Sequence, residues 1–157
     1  MKVDLKLLKR LRQQTGAGVM DCRQALLKGE GDKKKALEWL QEKGAKSANK
    51  RAGREVKTGI LQSYLHGEGQ ILAVVELLCE TDFVARNDDF KKLALELAMQ
   101  VAAMKPGSVD ELLAQSYIRE ESKQIADLVK ETIAKIGENI VVRRVARFEV
   151  GEKLNGK

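Results

Sequence analysis

The chain of 157 residues is poor in several residue types. It has two cysteines, one histidine and one proline, and aromatic residues make up only 4% of it. Two cysteines, Cys22 and Cys79, are too few for a disulfide scaffold or a zinc site, and they are compatible with a reducing compartment. The single histidine, His66, leaves little material for His-dependent catalysis or metal binding. We therefore expect no bound metal, no cofactor and no enzyme activity.

Long hydrophobic runs and nucleotide-binding loops are also missing. The longest unbroken apolar run, residues 71–75, is far shorter than the roughly 18 residues that a membrane span needs. The first twenty residues carry six charged side chains, so we expect neither a signal peptide nor membrane attachment, and a cytoplasmic protein. No Gly-x-x-x-x-Gly-Lys-Ser/Thr loop occurs, so the chain is not expected to hold nucleotide phosphates itself.

The charges that are present are unevenly spread. Residues 1–57 hold 16 basic and 7 acidic side chains, whereas residues 58–157 hold 13 basic and 16 acidic ones. This asymmetry indicates modules with different surfaces or partners. We predict a three-helix module over residues 1–44, a basic linker over 45–58, a core over 59–151 and a C-terminal tail over 152–157.

The N-terminal module is predicted from apolar residues at helical spacing. Helices are expected over residues 4–13, with Leu5, Leu8 and Leu11 on one side, over 19–28, and from an N-cap at Asp32 to Gly44. Such a bundle could read DNA as a helix-turn-helix or dock on a protein. Protein docking is favoured because the second helix begins with Val19 and Met20 rather than with base-reading side chains. Simple core packing of these two residues remains the alternative.

The predicted linker, residues 45–58, is basic and contains small residues, and it can be helical or extended. It could contact phosphate or an acidic protein surface, or serve as a solvated tether. No aromatic residues are interleaved in it, so stacking of nucleic-acid bases is not expected.

The core module combines strands with amphipathic helices. Strands are predicted over residues 59–66, 71–78 and 140–150, the second being central because it is apolar at nearly every position. In the third, Ile140, Val142, Ala146, Phe148 and Val150 are expected on one face and Arg143, Arg147 and Glu149 on the other. Helices are predicted over residues 87–104 and 120–136, and the stripe of the first is expected to bury Phe90, Leu93, Leu97, Val101 and Met104. The expected fold class is α+β: a three-helix bundle plus a three-stranded antiparallel sheet with helices packed on one face.

An unusual feature lies between the central strand and the long helix, where Phe83 and Val84 occupy the middle of an otherwise polar segment. Phe83 could fold back over the start of the helix. It could instead project as an aromatic anchor between two rigid elements, which is typical of an interface hot spot.

Three stretches resemble signature sequences of the bacterial-type elongation factor Ts family. They are residues 15–22 (TGAGVMDC), 79–87 (CETDFVARN) and 136–144 (IGENIVVRR), and they occur in the family's order. The resemblance covers nearly the whole chain.

The resemblance implies a guanine-nucleotide exchange factor for the GTPase elongation factor Tu. It implies a ubiquitin-associated-like N-terminal module that docks on the GTPase through Arg12, Val19 and Met20. It also implies that Thr81, Asp82, Phe83 and Val84 bind near the Mg²⁺ site of elongation factor Tu. Phe83 would wedge between helices of the GTPase, and Asp82 would assist the displacement of Mg²⁺ and of the phosphate-binding loop.

The chain departs from the family pattern by being shortened. Residues 105–108 directly bridge two elements that are usually separated by a longer helical segment, which leaves a single half-core whose second sheet face is open. Homodimerisation through that face is a hypothesis. Direct binding of nucleic acid is not expected, and a basic nucleic-acid adaptor using residues 1–57 is the alternative function.

Overall fold

The computed structural model describes residues 3–153. Its helices are α1 (Leu5–Thr15), α2 (Val19–Lys28), α3 (Lys33–Arg51), α4 (Asp82–Ala85), α5 (Asp88–Met104), α6 (Val109–Ala114) and α7 (Ile125–Ile136). Its strands are β1 (Thr58–His66), β2 (Ile71–Cys79), β3 (Ser116–Tyr117), β4 (Glu120–Gln124) and β5 (Ile140–Glu149). Residues 154–157 of the predicted tail lie outside the described range. Across residues 3–153, none of the helices has the length and hydrophobicity that crossing a bilayer requires.

The main sheet has three antiparallel strands in the order β1-β2-β5. The prediction that β2 is central is therefore confirmed, and so is the α+β class. β2 buries Ala73, Val75, Leu77 and Cys79 on the face that receives the helices. α5 packs against β1 and β2 on that same face.

α5 begins where the sequence indicated. The side chain of Asn87 accepts hydrogen bonds from the backbone N–H groups of Asp89 and Phe90, at 2.8 and 3.3 Å. The predicted stripe is buried at Phe90, Leu93, Leu97 and Val101. Its last member, Met104, is 48% exposed, so the prediction that it is buried was wrong. α5 ends at this residue, and Lys105 takes the left-handed conformation that ends the helix.

β5 contains an irregularity that changes which residues face the core. Glu76 pairs with Arg144 while Leu77 pairs with Val142, which leaves Arg143 as an extra residue on β5. A bulge of this kind inverts the alternation of faces beyond it. Ala146 and Phe148 are consequently exposed, while Val145 packs against the core.

The prediction that Ala146, Phe148 and Val150 share the buried face with Ile140 was therefore wrong. Arg147 is instead directed towards the helices, and its guanidinium Nε donates to the carbonyl oxygen of Ala102 at 3.0 Å.

α3 is longer than the sequence indicated. It runs through Gly44, so the predicted end of the helix there was wrong, and the first part of the predicted linker is helical. A Cβ on Gly44 would lie 3.3 Å from the Cβ of Ala134 in α7. Glycine therefore permits α3 and α7 to approach closely rather than ending α3. Further along α3, Ala48 is buried in the main core.

The segment before α7 is a strand, not the start of a helix. Residues 120–124 form β4, which pairs with β3, so the predicted helix start at Glu120 was wrong. The run Glu-Glu-Ser-Lys has no apolar periodicity that a helix could bury. The capping box of Gln124 and Asp127 marks the true helix start.

The N-terminal bundle has a small core of its own. Leu11, Cys22, Ala25, Leu26 and Ala36 are buried, and the Asp32 carboxylate caps α3 by accepting the N–H of Lys35 at 2.9 Å. Of the leucines predicted on one side of the first helix, Leu11 is buried, whereas Leu5 is 77% exposed.

Candidate protein-docking site

The short helix α4 presents an aromatic side chain to solvent. Its N-cap, Thr81, accepts the backbone N–H of Val84 at 3.4 Å. Val84 and Ala85 are only 9% and 8% exposed, and they anchor the turn in the main core. Phe83 is 80% exposed, so it does not fold back over the start of the following helix.

The acidic residue beside the aromatic one is held by a neighbouring cation. The carboxylate of Asp82 lies 2.9 Å from the guanidinium of Arg86, one helical turn along the chain. Both side chains are more than half exposed, and ion pairs of this kind contribute little to stability. The Asp82 carboxylate can therefore exchange this partner for another cation at small cost.

The chain entering α4 is hydrogen-bonded to the turn that precedes β5. The carboxylate of Glu138 accepts the backbone N–H groups of Glu80 and Thr81, at 3.1 and 3.0 Å, and the hydroxyl of Thr81 at 2.6 Å. In return, the carboxylate of Glu80 accepts the backbone N–H of Asn139 at 2.7 Å. Thr81 is thus occupied within the chain, and Val84 is buried, so these two side chains hold the turn.

Cys79, directly before this segment, is a buried thiol. Its Sγ lies 3.2 Å from the carbonyl oxygen of Thr81. Burial, with a smaller contribution from the Glu138 carboxylate, raises the pKa of this thiol to about 11. Because the thiolate is the reactive form of cysteine, a thiol with this pKa is a packing residue rather than a nucleophile.

The predicted N-terminal docking residues lie at the surface. Arg12 is exposed on α1, and Val19 and Met20, in the first turn of α2, are 46% and 60% exposed. The alternative that Val19 and Met20 pack in the core therefore does not hold. Leu27, at 40% exposure, adds a further apolar surface residue to α2 that the sequence analysis did not single out.

Within residues 3–153, no group of three His, Cys, Asp or Glu side chains is arranged to hold a metal ion. What the surface does offer is exposed apolar and aromatic side chains on rigid elements. These features define a class of protein that acts by contact with another protein.

Comparison with known proteins identifies the family. The family model described as Elongation factor TS matches residues 80–156. Elongation factor Ts of Thermotoga neapolitana is 43% identical over 196 aligned positions, which cover 98% of this chain and all of that protein. The same factor of Thermotoga maritima is 40% identical, with 97% and 98% of the two chains covered. That of Rippkaea orientalis is 39% identical, with 96% and 79% covered.

The chain belongs to the elongation factor Ts family. Membership implies nucleotide exchange on elongation factor Tu during the elongation stage of protein synthesis. The alignment with the Thermotoga neapolitana protein is longer than the 157 residues of this chain, so that relative has residues with no counterpart here.

Proposed function

We propose that the chain binds elongation factor Tu in its GDP-bound form and promotes GDP release by disturbing the Mg²⁺ ion and the phosphate-binding loop of that GTPase. Phe83 is the wedge, and Asp82 lies beside it to compete for the cation. Arg12, Val19 and Met20 form the second contact, on the N-terminal bundle. Thr81 and Val84 complete the first contact and hold its shape.

The energetics of exchange explain why a wedge is sufficient. A nucleotide held with nanomolar affinity is bound by about 12 kcal/mol, so its spontaneous release is slow. A factor that binds the empty GTPase more tightly than the loaded one weakens nucleotide binding by the same ratio, because binding free energies are linked. Displacing Mg²⁺ removes the largest local charge that holds the phosphates. The factor needs no chemical step of its own.

The observation that supports this proposal is the exposure of Phe83 on an anchored turn. An apolar aromatic side chain that is 80% exposed buries little surface in the isolated chain. It can gain free energy when a partner buries it, and its backbone is already ordered, which lowers the entropic cost of binding.

The proposal is tested by loading elongation factor Tu with fluorescent GDP and measuring its release on addition of the chain. Phe83→Ala should lower the maximal stimulated rate by about a hundredfold, equivalent to about 2.7 kcal/mol of lost hot-spot contact. Its circular dichroism and melting temperature should match those of the wild type, because the ring makes no core contact.

Ile118→Ala is the matched control, since Ile118 is also an exposed apolar residue, at 40%, but it lies between β3 and β4, away from α4. Equal release rates for Phe83→Ala and the wild type would refute the role of the wedge.

The N-terminal contact has a different expected signature. Replacing both Val19 and Met20 by alanine should raise the concentration of factor that gives half-maximal release about tenfold, since loss of uniform binding energy changes affinity. The maximal rate should stay near that of the wild type. A fall in the maximal rate at unchanged half-saturation would contradict a docking role for these residues.

We further propose that the open face of the sheet is covered by a second copy of the chain. Leu61, Leu65 and Phe148 are 66%, 62% and 55% exposed there, around the less exposed Leu72 and Val74. The same face carries an ion pair, since the guanidinium of Arg144 lies 2.5 Å from the carboxylate of Glu76. Such a face is complementary to itself under a two-fold rotation, as a symmetric dimer requires.

Sedimentation at micromolar concentration tests the dimer. The wild type should sediment as a dimer, and Leu65→Glu should sediment as a monomer because a carboxylate would be buried without a partner. Gln13→Glu, which adds the same charge to the exposed face of α1, should leave the dimer intact. A wild-type monomer, both alone and with elongation factor Tu, would remove this proposal.

A further inference from the structure

The junction before α4 is held by one carboxylate through three hydrogen bonds. One oxygen of Glu138 accepts two consecutive backbone N–H groups, those of Glu80 and Thr81, and the other oxygen accepts the hydroxyl of Thr81. Hydrogen bonds to an ionised acceptor are among the stronger ones in proteins. Because the two backbone groups are adjacent in the chain, they fix the direction of the peptide that leads into α4.

A further hydrogen bond joins the same two segments in the opposite direction, from the backbone of Asn139 to the carboxylate of Glu80. Cys79 and Ile140 are the last residues paired between β2 and β5. Beyond them, the Glu80 carboxylate accepts the backbone N–H of Asn139, while Glu138 binds back to the Glu80 segment. The two strands thus continue to be joined by side chains where the backbone ladder ends.

A third segment is attached to the same point. Asn139 is 3% exposed, and its side-chain amide donates to the carbonyl oxygens of Arg54 and Ala52, at 2.8 and 3.4 Å. The guanidinium of Arg54 lies 3.6 Å from the Glu80 carboxylate. The chain that leaves α3 is therefore tied to the junction from which α4 begins.

We propose that Glu138 is a positioning residue for nucleotide exchange: it fixes the orientation in which α4 presents Phe83, and Asn139 ties that junction to the end of α3. This inference rests on the proposed function of Phe83. A four-residue helix is too short to hold its own geometry in water. Binding energy at a wedge depends on the side chain being held near its bound orientation before the partner arrives.

Other contacts of α4 do not replace this one. Val84 and Ala85 hold the back of the turn against the core, but they do not bond to the turn that precedes β5. Without Glu138, two backbone donors and one hydroxyl lose their acceptor. The bonds that remain on Thr81 come from the Val84 N–H at 3.4 Å, the Ala85 N–H at 3.2 Å and the Cys79 thiol at 3.2 Å, and all of them lie within residues 79–85. Glu138 is itself only partly buried, so its truncation opens no large cavity in the core.

The test is Glu138→Ala in the full chain, assayed by release of fluorescent GDP from elongation factor Tu. The maximal stimulated rate should fall about tenfold, since a displacement of about 1 Å in a positioned group is enough for such a loss. Amide hydrogen exchange at Thr81 and Val84 should become faster, while exchange in β2 and α5 stays slow. Glu121→Ala, which removes an exposed glutamate from β4, should change none of these quantities.

Glu138→Gln provides rescue by a conservative variant. The amide oxygen of glutamine can still accept the two backbone N–H groups, while the hydroxyl of Thr81 loses its acceptor. The maximal rate of GDP release with Glu138→Gln should therefore be close to that of the wild type. A glutamine variant as slow as the alanine variant would contradict positioning through the backbone of residues 80 and 81.

A double-mutant cycle with Phe83→Ala separates the inference from the function on which it rests. If Glu138 acts through the ring, adding Glu138→Ala to Phe83→Ala should lower the rate no further. The positioning role would be overturned if Glu138→Ala lowered the release rate by the same factor in the wild type and in Phe83→Ala. It would also be overturned if Glu138→Ala alone left the rate unchanged. If Phe83→Ala does not change the rate of GDP release, the proposed function fails. In that case the positioning role is judged by amide exchange alone, and unchanged exchange at Thr81 in Glu138→Ala would overturn it as well.

Discussion

The two halves of this molecule differ in how they are stabilised. Among residues 3–153, the core around the main sheet contains 21 buried hydrophobic residues from both strands and helices, whereas the N-terminal bundle has five, two of which are alanines. A bundle with so little buried apolar surface is marginal by itself. The larger half can hold a rigid junction at α4, while the smaller half depends on its attachment to the larger one.

That attachment is α3. Its first part packs in the bundle through Ala36, and its later part packs in the main core through Ala48, so one continuous helix belongs to both halves. A second contact lies at the turn after α1, where the Lys135 side chain of α7 covers Gly16. Gly16 has φ 67°, a conformation that favours glycine. The N-terminal bundle is therefore mounted on the core by helix packing rather than by a flexible tether.

The largest expected effect comes from equivalent leucine truncations in the two halves. Leu97 and Leu11 are both fully buried, and replacing either by alanine removes the same atoms. Leu97→Ala should lower the free energy of unfolding of the whole chain by about 2–5 kcal/mol, as core cavities do. Leu11→Ala should increase local unfolding mainly of the bundle. The measurement is the rate at which a thiol reagent modifies Cys22, in the bundle, and Cys79, in the core.

In Leu11→Ala, Cys22 should be modified faster while Cys79 stays protected. In Leu97→Ala, both should become more reactive. If Leu11→Ala exposed both cysteines equally, the bundle and the core would be one cooperative unit, and the comparison would fail.

A smaller loss of stability is expected from a substitution at the contact between α3 and α7. Gly44→Leu places a side chain where even a Cβ lies 3.3 Å from Ala134. Overpacking of this kind costs about 1–3 kcal/mol, and the gain in helix propensity of about 1 kcal/mol offsets part of it. The net loss should be seen in urea denaturation.

Gly53→Leu is the matched control, because a Cβ at Gly53 meets no atom within 4 Å. Equal stability of the two variants would show that α3 and α7 are free to separate, and would refute close packing as the means of attachment.

The smallest effect is expected in the wild-type chain, as a difference between the modification rates of its two cysteines. Burial raises the pKa of both thiols, to about 11 for Cys79, so at pH 8 modification proceeds through opened states whose thiols have ordinary pKa values. Because the bundle opens at lower free energy, Cys22 should react about tenfold faster than Cys79. Variants Cys22→Ala and Cys79→Ala assign the two rates, and a faster Cys79 would reverse the comparison.

Much of the fold was predictable because local chemistry agreed with tertiary packing. The central strand β2 was predicted from its nearly continuous apolar run, and α5 from Asn87 and the two aspartates that follow it. The exposure of Phe83, Val19 and Met20 was left open by the sequence, which allowed each of them to pack inward, and the structure decided it. Two of the errors occurred where local patterns and packing disagree, at Gly44 and in the second half of β5.

The amino-acid sequence by itself determined most of the helices and the three strands of the main sheet, because caps, turns and apolar periodicity are properties of neighbouring residues. The family followed from the resemblance of three stretches to its signature sequences. Only the tertiary structure decided that α3 continues through Gly44. The glycine is explained by the close approach of Ala134, a residue 90 positions away in the chain. The tertiary structure also decided that Arg143 is the extra residue of a bulge, and that Glu138 holds the segment before Phe83 across 57 and 58 positions of sequence. Such contacts depend on which elements meet in space, and no local pattern of residues encodes that.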